Sequence, residues 1–197
     1  MRKLTYTELL HQRLTLEHAQ RVERHPIIVV LDNIRSLYNV GSIFRTADAV
    51  RVRELILCGY TPSPPRPEID KTALGATQSV PWRAVASCVA AVRELRHSGI
   101  RVFAVELTDE SRPYDSLTPE DFPAAFVFGN EIVGVQPEVL QYCHAALAIP
   151  MYGVKHSLNV AVAAGIVLYE ALRCYRRGNW EYLPPQVSAD APAHCSP

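Results

Sequence analysis

A chain of 197 residues, 48% hydrophobic and 20% charged, is long enough for one well-packed core and short for two. No stretch approaches the roughly 18–20 uninterrupted apolar residues of a membrane span, and Met1-Arg2-Lys3 leads into a polar segment rather than an apolar signal core. A cytoplasmic protein with no membrane attachment is expected. The formal net charge of +0 excludes a uniformly basic binder of polyanions, so any such role needs clustered cations.

From the N-terminus, residues 4–23 set Leu9, Leu10, Leu14, Leu16 and Val22 among Arg and Glu at helical spacing, predicting one amphipathic helix with a basic face. After Pro26, the run Ile27-Ile28-Val29-Val30-Leu31 predicts a strand buried on both faces of a parallel sheet. Further strands are predicted at 54–57, 79–82, 101–105, 124–128 and 146–149, and helices near 42–50, 69–75, 87–98, 137–143 and 157–176. Such alternation implies an α/β fold, a mostly parallel sheet flanked by helices. Residues 61–67 hold four prolines. They predict an exposed loop, because proline lacks an amide donor and restricts the residue before it. Beyond Gly178, Pro184-Pro185, Pro192 and Pro197 with few apolar anchors predict a loosely held tail. The expected organisation is a basic helical extension over 1–25, one α/β domain over 26–177 and a tail over 178–197.

Open parallel sheets bind ligands beyond the carboxyl ends of their strands, which singles out three junctions. The first runs from Asp32 through Asn39-Val40-Gly41-Ser42 to Arg45. A helix opening at Gly41-Ser42 offers unpaired amides and a partial positive charge, and Arg45 one turn along can fork onto a phosphate. Equally, Asn39 can be a plain cap and Arg45 a surface residue. The second is Phe128-Gly129-Asn130-Glu131-Ile132-Val133-Gly134, where two glycines permit close approach of backbone beside one carboxylate. An ordinary strand-to-helix turn has the same composition. The third is Ile149-Pro150-Met151-Tyr152-Gly153-Val154-Lys155-His156-Ser157-Leu158-Asn159-Val160. There Ser157 is placed to cap an apolar helix whose small residues at 161, 163, 164 and 165 invite close packing.

Together N-V-G-S-I-F-R at 39–45, F-G-N-E-x-x-G at 128–134 and I-P-M-x-G-x-x-x-S-L-N-V at 149–160 resemble the three motifs of the TrmH-like (SpoU) branch of the SPOUT RNA methyltransferases. The block from Lys71 to Ala76 is similar to members of this branch, and the resemblance covers 27–176. It implies a SPOUT-type sheet with a deep C-terminal trefoil knot, and a homodimer built on the last helix. It implies transfer of the methyl group of S-adenosyl-L-methionine to a ribose 2′-hydroxyl of RNA, with tRNA favoured over rRNA. It places the donor on main-chain groups at Gly129, Ile149 and Leu158, with Leu107 and Met151 beside them. It makes Arg45 the catalytic arginine, with Asn39, Glu131, Ser157 and Asn159 as polar neighbours. No metal is expected. Ala161 departs from the pattern, standing where many members have serine.

The chemistry suits these residues. A ribose hydroxyl is a very weak acid and needs both an oriented approach to the methyl and help in losing its proton. A guanidinium stays protonated, so Arg45 serves better on a phosphate and on the developing alkoxide than as a base. RNA contacts are expected from Arg13, Arg21, Arg24, Arg35 and Lys155, since residues 1–53 carry nine Lys/Arg against five Asp/Glu. An ordinary solvated surface would look the same in the sequence. A Rossmann enzyme lacks support, because no G-x-G-x-x-G turn follows the first strand. A knotted RNA-binding or assembly factor without catalysis is the alternative, against which stand the intact Arg45, Glu131, Ser157 and Asn159. The five scattered cysteines, without C-x-x-C spacing, predict reduced thiols.

Overall fold

The computed structural model describes residues 1–11 and 13–177. The first departure from expectation is at the N-terminus, where two short helices, α1 (Tyr6–His11) and α2 (Leu16–Arg21), stand in place of one. Thr15 is extended and its hydroxyl accepts the His18 amide, which starts a second helix where the periodicity predicted continuation. Neither helix has sunk its leucines into a core: Leu9, Leu10, Leu14 and Leu16 are 43–52% exposed.

The remainder runs β1 (His25–Asp32), α3 (Leu37–Ala49), β2 (Val52–Cys58), α4 (Pro67–Ala73), α5 (Ala76–Ser79), β3 (Trp82–Val85), α6 (Cys88–His97), β4 (Arg101–Val105), β5 (Arg112–Pro113), β6 (Ala124–Gly129), α7 (Pro137–Leu140), β7 (Ala145–Ala148) and α8 (Val160–Tyr175). The strands form one sheet in the order β3-β2-β1-β6-β4-β7-β5, and every paired strand is parallel. A parallel sheet must be covered on both faces. Ile27, Val29 and Leu31 of β1 point into a layer with Val40, Ile43 and Phe44 of α3, Ile69 of α4 and Val167 and Leu168 of α8. Ile28 and Val30 point the other way, towards Ala91, Val92 and Leu95 of α6 and Val139 of α7.

Four boundaries correct the sequence reading, each for a local reason. The third strand lies at Trp82–Val85 rather than 79–82, because Ser79 closes α5 and Pro81 offers only its carbonyl, taken by the Leu55 amide at 2.9 Å. The proline-rich stretch is not wholly an exposed loop: Thr61 is buried, and Pro67 opens α4, where its missing amide costs nothing. Helix α3 begins at Leu37, five residues ahead of expectation, with Ser36 accepting the Asn39 amide. Helix α8 begins at Val160, after the cap expected at Ser157. The predicted tail, 178–197, with Cys195, lies outside the described residues, within which Cys58, Cys88, Cys143 and Cys174 are free thiols. No described helix is long and apolar enough to cross a membrane.

Candidate active site

The loops leaving β1, β4, β6 and β7 meet at the carboxyl edge of the sheet, held by polar side chains that terminate apolar strands. Asp32 is fully buried; its carboxylate accepts the Gln136 amide and the Asn33 side chain, each at 2.9 Å. Burial nevertheless pushes its carboxyl above the ordinary range. Asn130 donates to the Asn33 carbonyl at 2.8 Å and to the Tyr60 hydroxyl at 2.7 Å. Its own oxygen accepts the Ile132 and Val133 amides at 2.9 and 3.1 Å. Glu106, just past β4, accepts the Leu107 and Val135 amides, each at 2.9 Å. These four residues fix the 130–136 loop against two neighbouring strands.

That loop forms one wall of a cavity of about 770 Å³, within the roughly 300–1,000 Å³ typical of small-ligand sites. All five expected donor-site residues, Leu107, Gly129, Ile149, Met151 and Leu158, line it, as do Lys155 and Ser157. At Gly129 a Cβ would run into the Val135 amide and the Gly134 carbonyl, so only glycine fits this turn. The rim is apolar and uncovered, with Leu107, Ile132 and Val133 about 70% exposed.

The three motif segments join through a chain of hydrogen bonds. Glu131 accepts the Arg35 amide at 3.0 Å, the Ser36 amide at 3.2 Å and the Asn39 side chain at 2.9 Å. Asn39 in turn accepts from the Asn159 side chain at 3.1 Å, and Asn159 caps α8 by accepting the Ala161 amide at 2.9 Å. The anion at the start of α3 is therefore the protein's own carboxylate, which corrects the expectation of an open anion site at Gly41-Ser42. Partial burial works against charge on Glu131, but the bonds from Arg35, Asn39 and Ser36 outweigh it and hold the carboxyl below its usual range. With three of about four acceptor positions filled, Glu131 is a clamp and a poor base.

Other expected residues fall elsewhere. Arg45 is exposed on α3 and lines neither this cavity nor the shallower one of about 410 Å³ formed by Arg35, Ser36, Asn39 and Glu131. Six residues past Asn39, it lies about 240° around the helix and about 9 Å along it. Arg13 is exposed, and Arg21 pairs with Glu17 at 3.0 Å. Arg24 departs from expectation: its guanidinium donates to the carbonyls of Ala19 at 2.7 Å, Ser79 at 2.5 Å and Val52 at 3.3 Å. It ties the N-terminal segment to the body of the fold. Sequence reasoning named Asp32, Asn33 and Asn130 only as members of the junctions, without a role, and missed Glu106; the available signal was a polar residue ending an apolar strand. Among the described residues no group of three His, Cys, Asp or Glu side chains could hold a metal ion.

Residues 26–169 match the model of the SpoU rRNA methylase family. The chain is 34% identical over 187 residues to the tRNA (guanosine(18)-2′-O)-methyltransferase of Aquifex aeolicus, covering 92% of this chain and 85% of that one. It is 33% identical over 154 residues to the 23S rRNA (guanosine-2′-O-)-methyltransferase RlmB of Neisseria meningitidis, covering 78% of this chain and 61% of that one. The AdoMet-bound rRNA methyltransferase of Sinorhizobium meliloti superposes with a TM-score of 0.71 at 32% identity, over 81% of this chain and 59% of that one. The chain thus spans about three fifths of the two rRNA enzymes and most of the tRNA enzyme.

Proposed function

This chain belongs to the SpoU rRNA methylase family, and from that premise we propose that it transfers the methyl group of S-adenosylmethionine to a ribose 2′-hydroxyl of RNA. One observation carries the reading: three segments from distant parts of the chain are joined by hydrogen bonds through Glu131, Asn39 and Asn159, two of these segments lining one cavity. The cavity suits the donor in volume, in its apolar rim, and in the close approach of backbone that Gly129 permits. Main-chain groups at Gly129, Ile149 and Leu158, flanked by Leu107 and Met151, hold the donor. When bound, it supplies a sulfonium methyl open to attack by an oxygen nucleophile.

Arg45 grips the phosphate beside the target ribose and steadies the 2′-oxygen as its proton passes to that phosphate or to a neighbouring group. Because Arg45 turns away from the cavity of its own chain, it acts in the site of a second copy, in a homodimer packed on α8. Exposed Val162 and Tyr169 on that helix support such a contact. We read the β6 insertion between β1 and β4, with the 149–159 loop along the cavity wall, as parts of a deep C-terminal trefoil knot within a catalytic unit of residues 26–177. We take tRNA ahead of rRNA as substrate, since the chain matches nearly the whole of the tRNA enzyme, and the cytoplasm as the setting.

Incubation with S-adenosylmethionine and RNA from a strain lacking this gene, followed by mass-spectrometric mapping, should reveal new ribose methylation in tRNA. RNA binding without methylation, together with no donor binding by calorimetry, would establish the non-catalytic alternative instead.

A further inference from the structure

Helix α3 presents one stripe to solvent. Tyr38, Ser42, Arg45 and Ala49 follow the i, i+4, i+7, i+11 spacing of a single helical face. The opposite side is buried through Val40, Ile43, Phe44 and Ala47, and at the flank of the stripe Gly41 sits so close to α4 that a Cβ would strike Thr72 and the Ile69 carbonyl. Within the stripe Tyr38 is 49% exposed, and neither its ring nor its hydroxyl has a partner among the described residues. Its carbonyl accepts from Ser42 at 2.8 Å and Thr72 at 3.1 Å, so the backbone beneath the ring is firmly held. Arg45 likewise has no acidic partner among the described residues, whereas Arg2, Arg21, Arg83, Arg101, Arg112 and Arg173 are all ion-paired. The adjacent residue, Asn39, belongs to the hydrogen-bonded chain at the cavity.

An aromatic ring fixed at its base and open on its face, about 10 Å along the helix from an unpaired guanidinium, matches the two surfaces of one nucleotide. A base stacks on an aromatic face while a guanidinium holds a phosphate, and rings that are idle in the unliganded protein are the usual platform for single-stranded RNA. Resting on the proposed RNA methylation, we propose that Tyr38 is a substrate-binding residue that stacks a nucleobase flanking the methylated ribose, with Arg45 on a phosphate of the same strand. The ring thereby fixes which nucleotide stands at the site, a determinant of specificity separate from the donor cavity.

The test compares Tyr38→Ala, Tyr38→Leu and Tyr38→Phe with the unaltered chain. RNA affinity is read with unfractionated tRNA and total rRNA from a strain lacking this gene, donor affinity by calorimetry, and assembly state by sedimentation. Tyr38→Ala and Tyr38→Leu should each weaken RNA binding roughly 5- to 150-fold, and Tyr38→Phe should stay within about twofold, as stacking requires. Donor affinity and sedimentation should not change in any variant. The stacking role is overturned if Tyr38→Leu binds RNA like the unaltered chain, since apolar area would then suffice. It is overturned too if Tyr38→Phe fails as Tyr38→Ala does, or if the loss accompanies a change in assembly state, which would make the ring a subunit contact. RNA binding that survives Tyr38→Ala sinks this role alone, whereas an unaltered chain that binds no RNA sinks the functional reading beneath it.

Discussion

Glu131 directs its charge at the start of α3 rather than at solvent, and its titration should report that. A carboxyl held below its ordinary range in the folded state stabilises the fold above its unfolded pKa, and that contribution is lost as pH falls through the folded value. Relative to Glu131→Gln, the protein should therefore hold a constant excess stability in urea from pH 8 down to about pH 5, vanishing in stronger acid. At saturating donor, Glu131→Gln should slow methyl transfer roughly 10- to 150-fold, as expected for removing a charged hydrogen-bond partner from the clamp. Asp32 tilts the opposite way, since burial raises its carboxyl and its charge opposes folding at neutral pH. Arg24 separates stability from binding among the basic residues. Arg24→Ala should cost about 1–3 kcal/mol in urea unfolding with no change in the salt dependence of RNA binding. Arg13→Ala combined with Arg21→Ala should flatten that salt dependence and leave unfolding nearly unchanged.

At the scale of elements, α8 depends on Asn159 twice, as its cap and as a link to Asn39. Asn159→Ala should lose both, with about 0.5–2 kcal/mol of stability. Asn159→Asp keeps a capping oxygen but turns a donor into a charge facing the Asn39 oxygen. Thermal unfolding should recover in that variant while methyl transfer stays low; recovery of both would reduce Asn159 to a cap. The sequence made β4, β6 and α6 legible, because each is an apolar pattern closed by turn residues. It hid the start of α3, where Gly41 inside a helix reads as a boundary and is instead demanded by the approach of α4. The N-terminal periodicity misleads because, among the described residues, Leu9, Leu10, Leu14 and Leu16 stay about half exposed and enter no core. At the site, Asn39, Glu131 and Asn159 were recognisable singly as motif members. Their bonding was not, since Asn39 reaches Glu131 across 92 positions and Asn159 across 120. The anion site expected at Gly41-Ser42 is replaced by amides at Arg35 and Ser36, ahead of a helix that starts at Leu37, and a carboxylate distant in sequence takes them.

For the whole molecule, a net charge of zero leaves cations to be used locally: Arg2, Arg21, Arg83, Arg101, Arg112 and Arg173 are ion-paired, while Arg35, Arg45 and Lys155 have no acidic partner among the described residues. Sharing of Arg45 between copies has a direct test. Mixing Arg45→Ala with Gly129→Arg subunits should restore activity in heterodimers, and verified subunit exchange without restoration would refute it. Sedimentation showing only a 22.0 kDa species would refute the dimer itself. The order of the strands also sets a schedule for synthesis. Ile27 of β1 pairs with Ala124 of β6, so the middle of the sheet is finished only after roughly a hundred further residues have been made. At about 5–20 residues per second, the ribosome leaves Ile27 to Leu31 without one neighbouring strand for about 5–20 s. During that interval one edge of the apolar run Ile27 to Leu31 is open, and a chaperone bound to the nascent chain would meet β1 before β6 does.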